Sequence, residues 1–159
     1  MNALASLNVE TLEGLVSTAT EAMLGLSFSL TTPKVERDQA THDATRSVSV
    51  QIGDAATLLV ITADEESGQR LGSAMFACPV SELDPGMLDD ALGELANIVA
   101  GQVKVCLGIK SPLGLPRVLA ESPLQSGSPM PWRTALLQTQ QGEILLRVTV
   151  TGSDEGVQS

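Results

Sequence analysis

Aromatic residues are nearly missing from this sequence: they make up 2% of 159 residues, with one Trp, two Phe and no Tyr. The core must therefore be packed from Leu, Val, Ile, Ala and Met, and a stacking platform for nucleic-acid bases is excluded. Cysteine is equally sparse. Cys78 and Cys106 lie among apolar neighbours, outside any CxxC pattern, and the single histidine is His42. Those side chains are too few for a zinc site and predict two buried, inert thiols. Cations are short as well, with 9 Lys and Arg against 19 Asp and Glu and a net charge of −10. Such a surplus repels phosphate backbones and anionic lipid, which argues against nucleic-acid and membrane binding and favours a partner protein that presents a lysine or a basic patch. No apolar run is long enough to span a bilayer, and the first residues lack the charged-then-apolar layout of a signal peptide, so a soluble, cytoplasmic protein is expected.

What remains is a chain that is 43% hydrophobic, with length for one domain and a sizeable core. A single domain over residues 1–151 and a polar tail over 152–159 are predicted. Leu12, Leu15, Val16, Ala19, Met23 and Leu26 recur at helical spacing, so a helix is expected from about Val9 to Leu24, with Asn8 as N-cap, Glu10 and Glu13 in its first turns and Gly25 as its stop. Strands are expected over Ser27–Gln39, Thr45–Ile52 and Ala56–Thr62, with a turn at Gly53-Asp54. Asp64 is placed to cap a second helix with apolar positions Leu71, Ala74, Met75 and Cys78, ended by Pro79. Asp84-Pro85 is a strong helix start, and Met87 through Leu107 reads as the longest helix. A loop over Gly108–Gly114 follows, then a strand over Leu115–Ala120 and a mobile Ser/Pro/Gly-rich connection over Glu121–Pro131. The chain closes with a hairpin of Trp132–Gln140 and Glu143–Thr151 about Gln141-Gly142. The order is helix, three strands, two helices, three strands. It implies an α+β fold, a mainly antiparallel sheet packed against helices.

The long helix has two unlike faces. At about 100° per residue, Leu88, Leu92, Leu95, Val99, Val103 and Cys106 form one apolar stripe, the predicted core face. Asp90, Glu94, Asn97, Gly101 and Lys104 fall opposite, at i, i+4, i+7, i+11 and i+14. A solvated surface is the plain explanation of any such polar stripe. Asn and Gly, however, are costly in an exposed helix interior; glycine loses roughly 1 kcal/mol relative to Ala. A face that docks another backbone has reason to accept that cost, and a merely wet one has none.

The run Asp90-Ala-Leu-Gly-Glu94-Leu-Ala-Asn97-Ile-Val-Ala-Gly101-Gln-Val-Lys104 resembles the phosphatase helix of the CheX/CheC/FliY family, whose pattern is Asp or Ser, then ExxN, with a proline further on. Glu21-Ala-Met-Leu-Gly25 resembles the end of that family's first helix, and Leu115-Pro116-Arg117-Val118-Leu119 the strand after its catalytic helix. The likeness covers roughly Val9 to Thr151. The spacing from Asn97 to Pro116 is a few residues shorter than the family's, and Gln102 stands where relatives often carry Asn. One such helix is present, which matches the single-motif CheX type, a homodimer joined through sheet edges.

The resemblance implies a phosphatase that hydrolyses the phospho-aspartate of a CheY-like response-regulator receiver domain. Asn97 would orient the attacking water, as a carboxamide that donates and accepts hydrogen bonds at once is suited to do. Glu94 would pair with the receiver's lysine; Asp90, Gly101, Lys104 and Pro116 would contact the partner. The chain itself would need no cofactor, because Mg2+ is supplied by the phosphorylated partner. Two alternatives stand beside this reading. One is a CheX-like module that binds a receiver without hydrolysis. The other, ranked last, is an unrelated hydrolase using Asp90 and Glu94. His42 is most simply a loop residue, and Lys104 or Arg117 could serve as solubility charges.

Overall fold

A computed structural model describes residues 7–31, 45–53, 57–119, 131–140 and 142–151. His42, the connection before Pro131, the tail over 152–159 and residues 32–39 of the expected Ser27–Gln39 strand lie outside the described residues. The elements follow the predicted order: α1 (Val9–Leu24), β1 (Phe28–Leu30), β2 (Thr45–Gln51), β3 (Leu58–Asp64), α2 (Glu65–Phe76), a short 3-10 turn (Val80–Glu82), α3 (Pro85–Leu107), β4 (Arg117–Leu119), β5 (Pro131–Thr139) and β6 (Leu145–Thr151). Among the described residues these strands make one six-stranded sheet in the order β1-β5-β6-β3-β2-β4, with every neighbouring pair antiparallel.

The helices begin and end where local chemistry dictates. The Asn8 side chain accepts from the Thr11 N–H at 2.8 Å, and Gly25 closes α1 at φ 68°, a left-handed conformation that glycine adopts freely. Asp64 caps α2 through the Ser67 N–H at 2.7 Å, and Asp84 caps α3 through the Met87 N–H at 2.8 Å with Pro85 at its first position. Helix α2 is shorter than expected. It stops at Phe76 because Ala77 turns left-handed (φ 53°) and gives its N–H to the Ser73 carbonyl. The proline at 79 disfavours helical geometry at Cys78, so Cys78 is not a helical core position, and Ala74 faces solvent. Both cysteines are partly exposed free thiols rather than buried ones.

The core lies between the sheet and one helical layer. Val48, Val50 and Ile52 of the β2 segment, Leu59 and Ile61 of β3 and Leu146, Val148 and Val150 of β6 face Leu12 and Val16 of α1, Leu71 of α2 and the apolar stripe of α3. Burying side chains of this size is worth roughly 1.5–3 kcal/mol each. Polar clasps fix the helices on the sheet. Ser17 Oγ donates to the Phe28 carbonyl at 2.5 Å, Glu13 accepts from the Leu30 N–H at 2.7 Å, and Ser67 Oγ accepts from the Leu145 N–H at 2.8 Å. Gly72 lets α2 and α3 close up, since a Cβ there would meet Leu88 at 3.2 Å.

Candidate functional site

Helix α3 is buried over a wide arc. Leu88, Ala91, Leu92, Gly93, Leu95, Ala96, Val99, Ala100 and Val103 are all covered. Asp90, Glu94 and Asn97 are exposed, while Gly101 and Lys104 are half-buried. The first three residues of the predicted polar stripe thus form an uncovered ribbon opposite the buried side of the helix, and further along Gln102 and Val105 are exposed as well. Asp90, Glu94 and Asn97 make no side-chain hydrogen bond or ion pair among the described residues.

Beside this ribbon runs an open groove of about 810 Å³, lined along α3 by Asp89, Asp90, Gly93, Glu94 and Asn97. Met23 from the end of α1, Met75 and Phe76 from the end of α2, Val48 from β2, and Leu115, Pro116 and Val118 complete it. Four of the six sequence-predicted residues therefore meet there: Asp90, Glu94, Asn97 and Pro116. Gly101 and Lys104 do not line it. A Cβ at Gly101 would meet nothing within 4 Å, so nothing within the described structure demands a glycine there. Lys104 is in the last turn of α3, where a cation complements the helix dipole.

Pro116 reaches the groove by leaning on the helix. A Cβ at Gly93 would come within 3.3 Å of Pro116 Cβ, so only glycine allows the proline to seat there undisturbed. The segment leading to it is pinned. Leu113 bridges to Ile52, the Gly114 N–H donates to the Gln51 carbonyl at 2.8 Å, and β4 then pairs with β2. The strand begins at Arg117 rather than at the expected Leu115, because Pro116 has no N–H to give a ladder and Leu115 stands clear of the sheet, while Ala120 lies outside the described residues.

Asp89 is a groove residue that sequence reasoning missed. Its carboxylate is held at 2.6 Å by Arg46, at the start of β2, which also reaches Glu65 at 3.4 Å. Burial alone would lower the pKa of the Arg46 guanidinium, but the hydrogen bond and charge of Asp89, then those of Glu65, outweigh it and raise the value above the ordinary one. Arg46 therefore stays charged at any workable pH. Its Nε is buried without a hydrogen-bond partner among the described residues. The cluster ties β2 to the first turns of α2 and α3 and leaves Asp90 and Glu94 as the uncompensated carboxylates of the groove. No sequence pattern flagged this, since Arg46 and Asp89 are in separate elements. The groove's apolar residues other than Pro116 were likewise not predicted as a site; the signal that was available is that Phe76, one of only two Phe, falls off the apolar stripe of its helix.

Among the described residues there is no group of three His, Cys, Asp or Glu side chains that could hold a metal ion, and no helix is long and apolar enough to cross a membrane.

The family model for chemotaxis phosphatase CheX matches residues 47–130, just over half of the chain. That span holds every groove residue except Met23. No curated protein matches the sequence. Among solved structures, the CheX-CheY-BeF3-Mg complex from Borrelia burgdorferi contains a chain that superimposes with a TM-score of 0.63 at 16% identity, covering 90% of this chain and 96% of that one. CheX from Vibrio vulnificus gives 0.60 at 16% identity over 90% and 94% of the two chains. CheX from Desulfovibrio desulfuricans gives 0.60 at 16% identity over 89% and 96%. At such identities these structures establish the shared fold alone.

Proposed function

This chain belongs to the CheX chemotaxis phosphatase family, and from that membership we propose that it hydrolyses the phospho-aspartate of a CheY-like receiver domain, with Glu94 and Asn97 as its working side chains. The observation that carries this reading is the pairing of an exposed carboxylate and an exposed carboxamide one helical turn apart, both without partners among the described residues, on a helix whose opposite side is buried in the core. Exposed polar groups on a rigid element cost little to present and lose little freedom on docking.

An acyl phosphate is already activated toward water, so the catalyst's task is to place that water in line. Asn97 carries both a donor and an acceptor and has no proton to titrate near neutrality. Its contribution is positioning, in the way a glutamine holds the attacking water in GTPases. Glu94, which lacks a cation partner among the described residues, pairs with the receiver's lysine and sets register; a charge-assisted bond of that kind strengthens as the interface excludes water. Asp90 and Pro116 contact the partner from the groove, and Gly101 and Lys104 extend the contact along the ribbon. The Mg2+ arrives with the receiver; the Borrelia complex of CheX with CheY also contains BeF3 and Mg. The homodimer implied by the family would use a sheet edge. Of the two end strands, β1 is the one that leaves the groove open, and sedimentation of the whole protein tests for the dimer.

The test is phosphate release from a panel of phosphorylated receivers. Wild type accelerates it, Asn97→Ala abolishes the acceleration while binding persists, and Glu94→Ala weakens docking as well. Hydrolysis unchanged in both variants would sink the assignment. The short spacing from Asn97 to Pro116 favours one second reading, a docking module without catalysis, for which wild type binds a receiver and leaves its phosphate lifetime alone. A self-contained carboxylate hydrolase is disfavoured, because Asp90 and Glu94 are exposed and Asp89 is occupied by Arg46.

A further inference from the structure

Five large hydrophobic side chains are exposed among the described residues: Phe76 (41%), Val80 (42%), Val105 (78%), Leu115 (85%) and Val118 (56%). Three of them, Phe76, Leu115 and Val118, line the one groove that carries Glu94 and Asn97. Singly exposed hydrophobics need no explanation, but a group of them round a polar centre does.

Each is exposed for a structural reason. Val118 pairs directly with Val48, so both point to the helix-covered face of the sheet. Val48 is 1% exposed and Val118 56%, as β4 is the outermost strand of the sheet. The helix-facing surface of the sheet is thus left partly open at its last strand. Leu115 is held outward by the bonds that pin its neighbours: Gly114 to Gln51, and Pro116 against Gly93. Phe76 sits where α2 stops at the left-handed Ala77. The three side chains stand on fixed backbone, so a partner that covers them orders little on binding.

We propose that Phe76, Leu115 and Val118 form an apolar docking rim for the phosphorylated receiver, seating aliphatic or aromatic side chains that flank the receiver's lysine while that lysine meets Glu94. The inference rests on the function proposed above and specifies the surface by which the substrate protein is held. Charge selects this occupant over a second copy of the chain. A two-fold contact through the rim would place the Asp90 and Glu94 carboxylates of one copy against those of the other, and no cation among the groove residues neutralises them. A face carrying a lysine within an apolar ring satisfies both parts of the groove.

The experiment measures KM and kcat for phosphate release, and Kd for the receiver loaded with beryllofluoride and Mg2+, using the full chain. The variants are Leu115→Ser, Phe76→Ser, and Leu115→Ser combined with Val118→Thr. Val80→Ser is the control, as exposed as Phe76 but outside the groove. The double variant raises KM and Kd about tenfold while kcat stays within about twofold, and the control changes neither. Circular dichroism establishes that each variant is folded. Wild-type activity or binding that the rim variants leave untouched overturns the rim alone. A rim variant that changes the oligomeric state and not Kd assigns the patch to copy–copy contact and also overturns it. Failure of the wild-type protein to bind any receiver removes the proposed function and the rim with it.

Discussion

The two sides of α3 are built from the same helix under opposite demands. On one side Leu88, Leu92, Leu95, Val99 and Val103 are nearly or fully excluded from water and packed on the sheet. On the other, Asp90, Glu94 and Asn97 touch no polar partner among the described residues. Stability is concentrated on the first side and the proposed chemistry on the second. A docking surface with unmet hydrogen-bonding capacity can be held in place only by a scaffold that does not depend on it. Substitutions should therefore separate cleanly, changing stability on one side and receiver handling on the other.

The largest expected effect on stability comes from hollowing the packed side. Leu92→Ala or Leu95→Ala should cost about 2–5 kcal/mol, seen as a fall in the urea midpoint; a loss below about 1 kcal/mol would mean that this side is not the anchor. Next is the clasp at the foot of the helix. Arg46→Met leaves Asp89 without its guanidinium and should destabilise by about 1.5–3 kcal/mol, as expected for a charged hydrogen bond. Asp84→Ala, which removes the N-cap of α3, should cost about 1 kcal/mol in the same titration. Gly101→Ala sharpens the comparison because its sign differs between assays. With open space at its Cβ position, the substitution should stabilise the fold by up to about 1 kcal/mol while raising the receiver's KM. Faster or unchanged turnover at low receiver would remove Gly101 from the interface. The smallest stability effect belongs to Asn97→Ala, within about 0.5 kcal/mol, although its effect on phosphate release should be the greatest of the set.

Much of the fold was legible because its signals are local. Asn8 and Gly25 bound α1, Asp84-Pro85 opens α3, and the apolar period of 3.6 residues assigned the buried side of α3. Errors arose where a local signal was outvoted by a neighbour. Pro79 was read as the stop of α2, yet Ala77 had already left the helix. Cys78 and Cys106 have apolar neighbours in sequence, yet both are partly exposed, since adjacency along a chain does not fix burial. The motif residues of the candidate site were found from one helix. Its walls were not: Met23, Phe76, Val118 and the Arg46–Asp89 pair come from elements distant in sequence.

The sequence alone determined which side of α3 faces the core and which side is turned away from it, because helical periodicity needs nothing beyond the helix itself. The buried arc is wider than the apolar stripe, taking in Ala91, Gly93, Ala96 and Ala100. Tertiary structure alone decided that the ribbon borders a groove with an apolar rim. That outcome depends on β4 crossing to pair with β2 at the sheet edge, on Pro116 settling against Gly93, and on α2 ending at Phe76. Strand order and close backbone approach arise from contacts between segments far apart in the chain, and the physical information for them resides in the packed whole.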